Sequence, residues 1–156
     1  MERISQHITM LEATKSQTAT RKGIINIPTD EDIKRMKLVA DTCFEPLRVY
    51  FGVPIGISSF FRCEELNTAI GGSKTSQHRF GEAIDIDADM YGGITNKDIF
   101  DYLRYNVVFD QLIFEFRKPD GNPSWVHVSY TERSKNRGQV LEAYSENGRT
   151  KYKPYK

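Results

Sequence analysis

Apolar positions recur at helical spacing through the first third of the chain and at strand spacing beyond it. Ile33, Met36, Ala40, Cys43, Leu47 and Tyr50 follow one another at steps of three and four, a single stripe suited to burial. Thr29 stands where it can cap that helix, Asp30, Glu31 and Asp32 fill its first turn, and Gly52 ends it. Pro46 falls inside the stripe; it has no N–H to give and predicts a kink, or a split after Phe44. Upstream, Thr9-Met10-Leu11-Glu12 has capping-box spacing, so a short helix starts there, with Gly23 as a helix stop.

Beyond Gly52 the period shortens. Residues 54–59 read as a strand and 64–70 as a short helix stopped by Gly71-Gly72. Residues 82–87 alternate acidic and apolar side chains, as a half-buried strand does. Thr95 caps a further helix that carries Ile99, Phe100 and Leu103 on its inner face. Residues 111–116 and 124–130 are strands joined by the proline- and glycine-bearing turn 117–123, and 139–144 add an edge strand. Together these elements predict an α+β fold, a small, mainly antiparallel sheet with N-terminal helices packed on it. The 156 residues make one domain: helical support over 1–52, a core over 53–145 and a mobile tail over 146–156.

Composition narrows the class. Hydrophobic residues at 38% and charged residues at 28% are ordinary for a globular protein, and a net charge of +1 gives no global pull toward nucleic acid or membrane. The excess sits at the end: from Thr131 onward the charge is +4, against −3 for the rest. Tyr144, Tyr152 and Tyr155 accompany it without a nucleic-acid motif, so no nucleic-acid partner is expected and the basic stretch reads as solvated. No run reaches membrane-spanning length and residues 1–7 lack the apolar core of a signal peptide, which predicts a chain synthesised in a cytoplasm and not inserted in a membrane. Cys43 and Cys63 are too few for a disulfide framework or a thiolate metal site. They read as two reduced thiols, with a single bridge between them left open.

The chemistry concentrates in two segments, Ser76-x-His78-x-x-Gly81-x-Ala83-x-Asp85 and Trp125-x-His127. Two of the three histidines lie there, and two imidazoles with one carboxylate suit a catalytic zinc ion that keeps a position for water. Gly81 permits a tight turn after His78, and small Ala83 leaves room beside Asp85. Singly, His127 reads as a hydrogen-bonded strand residue, and His7 as a solvated one near the chain end. The pattern as a whole points to a metallohydrolase. The run Asp85-Ile86-Asp87-Ala88-Asp89 fails as a calcium loop, because Met90 and Asn96 stand where glycine and glutamate are needed. Asp87 shares a face with Asp85 and is expected to orient a ligand imidazole, with Asp89 in solvent.

These motifs resemble those of the peptidase M15 family, the zinc D-alanyl-D-alanine carboxypeptidases and related peptidoglycan peptidases, and small phage-encoded members most of all. The resemblance extends to Gln17-Thr18-Ala19-Thr20-Arg21, Glu45-Pro46-Leu47-Arg48, Ser58-Ser59-Phe60-Phe61-Arg62 and Leu66-Asn67. It implies the fold shared with the hedgehog signalling domain, zinc held by His78, Asp85 and His127, and a peptidoglycan stem peptide as substrate. It also implies that Arg62 binds substrate or the developing oxyanion and that Ser76 hydrogen-bonds the peptide. A structural ion pair for Arg62 and a turn cap for Ser76 are the plain alternatives.

Several relatives place a glutamate three residues before the last ligand, where this chain has Ser124. Glu115 is the candidate general base instead. If its strand pairs with the next about a turn centred near Gly121, Glu115 lies opposite His127 at a Cβ separation of about 5 Å. Its apolar flanks, Ile113, Phe114 and Phe116, would desolvate the carboxyl and raise its pKa, with a structural salt bridge as the alternative. The expected protein is a monomeric zinc peptidase acting on the cell wall, with phage lysis or a virion as its route there. The competing readings are a non-catalytic wall-binding module that keeps a structural zinc, and a binder of anionic polymer through the basic tail.

Overall fold

The computed structural model describes residues 2–156. A hairpin of β1 (Arg3–Ser5) and β2 (Ile8–Thr9) leads into α1 (Met10–Thr14) and α2 (Gln17–Lys22). α1 opens in the expected capping box between Thr9 and Glu12. Ser16 accepts from the Ala19 amide and so starts a second helix, which Gly23 closes in the left-handed conformation. The hairpin has no counterpart in the sequence reading, because strands this short carry no periodic signal. Its turn carries His7, whose Nδ1 lies 2.6 Å from Glu45 Oε1, so the solvated reading of this residue is corrected.

α3 (Asp30–Val39) and α4 (Glu45–Phe51) are the two halves of the apolar stripe, joined by a π-helical turn over Ala40–Phe44. Pro46 sits in the first turn of α4, where its missing N–H leaves nothing unpaired, and the wide turn takes up the break. Met36, Ala40, Cys43 and Leu47 are buried, whereas Tyr50 at the end of the stripe is exposed. Both cysteines are free, and burial pushes the Cys43 thiol up to about 12.

There follow β3 (Gly56–Ser59), α5 (Glu64–Ala69), β4 (Ala83–Asp87), α6 (Asn96–Asn106), β5 (Gln111–Arg117), β6 (Pro123–Ser129), β7 (Gln139–Glu146) and β8 (Arg149–Pro154). The fold is α+β. Its main sheet has six strands in the order β3-β4-β6-β5-β7-β8, larger than expected, and every pair is antiparallel except β5 with β7. Ile84, Ile86, Leu112, Phe114, Val126 and Val128 on one face join the core with α3, α4 and α6 residues such as Met36, Leu47, Phe100 and Leu103. Alternation therefore turns Asp85, Ile113, Glu115 and His127 to the other face.

The C-terminus departs from the expected mobile tail. β8 pairs with β7 from Glu146 opposite Arg149 to Leu141 opposite Pro154, about an Asn147-Gly148 turn in which both residues have positive φ. Tyr155 then packs its ring 4.7 Å from that of Phe100 and 5.3 Å from that of Phe114, fastening the strand to the core. β7 is accordingly an inner strand and β8 the edge. Among the described residues no helix is long and apolar enough to cross a membrane.

Candidate metal centre

Asp85 on β4 pairs directly with His127 on β6, which sets their side chains together on the face away from the core. His78 arrives from a 3₁₀ turn over Gln77–Phe80 that Gly81 closes with φ +70°, and a Cβ at Gly81 would lie 2.9 Å from the Asp32 carbonyl oxygen. His78 Nδ1 is 2.7 Å from the Phe60 carbonyl, which can only accept, so Nδ1 carries the proton and Nε2 of the neutral ring is bare. That Nε2 is buried and makes no hydrogen bond, yet lies 3.3 Å from Asp85 Oδ1. His127 Nδ1 is 3.0 Å from the same oxygen.

Two lone pairs facing each other in a buried site repel unless a cation lies between them. One ligand atom from each of His78, Asp85 and His127 falls within 4.8 Å of the other two, and this set of nitrogen and oxygen donors can hold a metal ion. Burial opposes the charge on Asp85, but His78 and His127 outweigh it and hold the carboxyl below the usual carboxylate range. Burial pushes the His78 ring down, against the pull of Asp85, which favours the neutral form a metal ligand needs.

Glu115 shares this face but not the predicted register. The β5–β6 pairing is centred on Asp120, so Glu115 opposes Trp125, while Ile113 opposes His127. The carboxylate is thus a diagonal neighbour of the cluster. Glu115 is 7% exposed, and burial pushes its carboxyl up to about 7, with His127 and Arg62 opposing. Among the described residues it makes no ion pair, which removes the salt-bridge alternative.

Arg62 places Nη2 3.6 Å from Asp85 Oδ2 and donates from Nε to Ser59 Oγ at 3.2 Å. Burial pulls its guanidinium below the usual arginine value, while Asp85 and Glu115 hold it up. Ser76 accepts from the His78 amide at 3.3 Å, the turn-cap geometry, and it also lines the cleft. Asp87 contacts neither imidazole. It accepts from Asn96 Nδ2 at 3.0 Å instead, which corrects its expected role.

A cleft of about 770 Å³ contains the cluster, with Arg62 and Ser76 on one side and Glu115, Phe116 and Trp125 from the sheet. Thr150 and Tyr152 of β8 also line it, although their segment reads as a tail. Burial, with Glu115 and Asp85, pushes the Tyr152 phenol up, so its hydroxyl keeps its proton. The segment carrying His78 is held by two buried carboxylates. Buried Glu82 accepts from Arg133 and Thr131, and buried Asp110 accepts from Arg137 and from Gln77, the neighbour of His78.

A search of the curated proteins finds no match for the chain. The family model described as Peptidase M15 matches residues 6–129, which include the ligand cluster, Arg62, Ser76 and Glu115 and stop before β7. With a match over most of its length and a His-Asp-His cluster in the matched span, the chain belongs to the peptidase M15 family.

Proposed function

We propose that the protein is a zinc-dependent peptidase that hydrolyses a peptide bond in bacterial peptidoglycan stem peptides, as a D-alanyl-D-alanine carboxypeptidase or a cell-wall endopeptidase. The observation that carries this reading is a desolvated carboxylate, Glu115, with no ion pair among the described residues, in one cleft with three converging metal ligands. A merely structural metal needs no such neighbour, and this weighs against a non-catalytic wall-binding module.

His78, Asp85 and His127 would hold the zinc. Bound there, it supplies a Lewis acid for the scissile carbonyl and lowers the pKa of water. Glu115, in its carboxylate form, takes a proton from the attacking water and delivers it to the leaving amine. Arg62 lines the cleft beside Asp85, and its guanidinium donates to the developing oxyanion or to a substrate carboxylate. Ser76 already accepts from the His78 amide, so its own O–H is left to donate to a substrate carbonyl. The enzyme reaches the wall through phage lysis or as part of a virion, and works as a monomer.

Mass spectrometry of products from purified peptidoglycan, with and without a chelator, tests this. Chelator-sensitive release of D-alanine identifies a carboxypeptidase, and opened cross-links or shortened stems identify an endopeptidase. Metal retention without any product from walls of several chemotypes would replace this reading with the binding module.

A further inference from the structure

The register lays a row of side chains across four strands. Trp125 of β6 faces Glu115 of β5, Glu115 faces Ala143 of β7, and Ala143 faces Tyr152 of β8. Directly paired residues share a face of the sheet. Tyr152 therefore stands on the side of Glu115, with only the Ala143 methyl in the row between them. Ala143 is fully buried, whereas Tyr152 is 55% exposed, at the rim of the cleft.

Phe116 joins this row by breaking the alternation. As the residue after Glu115 it belongs on the opposite face, but its φ of 55° turns the chain, and it lines the same cleft. Its ring lies 5.3 Å from that of Trp125. Bulky residues seldom adopt this conformation, and where they do the surroundings enforce it. Here Ser124 Oγ donates to the Phe116 carbonyl at 2.8 Å and pins the turn.

We propose that Phe116, Trp125 and Tyr152 form an aromatic subsite of the metal cleft that receives a long methylene side chain of the substrate residue next to the scissile bond, with Tyr152 setting the preference. This inference rests on the endopeptidase form of the reading above, because both residues at a D-alanyl-D-alanine bond carry only a methyl group. Three ring faces suit a run of methylene groups, each worth about fourfold in binding when fully buried. An alanine-sized side chain leaves the rings unused. The phenol hydroxyl, protonated and at the rim, gives the polar end of a diamino-acid chain a partner. The strand that supplies Tyr152 lies outside the span matched by the family.

The test uses soluble stem peptides that differ only in the residue flanking the scissile bond: alanine, norleucine or lysine. Wild type is expected to prefer norleucine and lysine at least tenfold in kcat/KM. Tyr152→Ala is expected to lose most of that preference, and to lose it through KM. Tyr152→Phe should keep the norleucine preference and weaken the lysine one. A preference in Tyr152→Ala equal to that of wild type overturns the subsite while leaving the peptidase reading intact. If wild type cleaves none of the peptides, the peptidase reading fails, and calorimetric binding of the same peptides decides the subsite separately. Tighter wild-type binding of the long side chains, lost in Tyr152→Ala, upholds it, whereas equal or absent binding overturns it.

Discussion

Glu115 and His127 are diagonal neighbours on β5 and β6, not a directly opposed pair. Diagonal positions lie about 7–8 Å apart, where direct opposition brings Cβ atoms to about 5 Å. The longer separation leaves room for a water between carboxylate and ligands.

Glu115→Gln should keep the metal and lower kcat by about 10²–10⁴-fold, the usual share of a general base. Turnover assays alongside metal analysis of the purified variant check this. A variant with unaltered kcat would remove Glu115 from the mechanism. A general base acts ionised, so with Glu115 in that role wild-type activity should rise with pH along an acid limb at or below the value of about 7 set by burial, since a bound cation pulls it lower.

The same carboxyl should weaken the metal-free fold. Its folded value lies above the 4.5 of the free side chain, so the folded state holds the proton more tightly. The stability this group contributes is complete below about pH 4.5 and is lost as pH rises through about 7. Denaturant unfolding at pH 8 should then show metal-free Glu115→Gln more stable than wild type by up to about 3 kcal/mol, with little difference at pH 4.5.

His78→Ala and His127→Ala should each lose metal and activity together. Chelation should lower the melting temperature of wild type, because an ion that binds only the folded state stabilises it, and should leave that of either variant unmoved. Calorimetric melts with and without chelator distinguish the two behaviours.

Arg133→Ala should destabilise by about 1–3 kcal/mol, because it strips buried Glu82 of its charged partner. Looser metal retention should accompany it, since Glu82 lies in the segment between His78 and Asp85. Lys34→Ala breaks only an exposed pair with Glu31 and should stay within about 0.5 kcal/mol. Comparable losses in both would mean that the Arg133 contact anchors nothing.

Much of the site was legible in local sequence. His78, Gly81 and Asp85 lie within one short segment whose turn is dictated by glycine, and the strand periods put Asp85 and His127 on matching faces. The Glu115 register was set two residues off, because a turn of this length leaves its centre open between Asp120 and Gly121. The contacts of His7 with Glu45 and of Asp87 with Asn96 join positions that only the tertiary fold brings together. β8 was missed because exposed residues occupy the whole strand, so apolar alternation is lacking, although Asn147-Gly148 is a strong hairpin signal.

A sheet border with free amides and carbonyls invites another chain to zip onto it. β8 is such a border, and Arg149, Lys151 and Lys153 are all exposed along it. Two copies meeting strand to strand would press these cations together, and desolvating them would be unfavourable. The positive charge gathered along this border therefore opposes strand-to-strand pairing of two copies there.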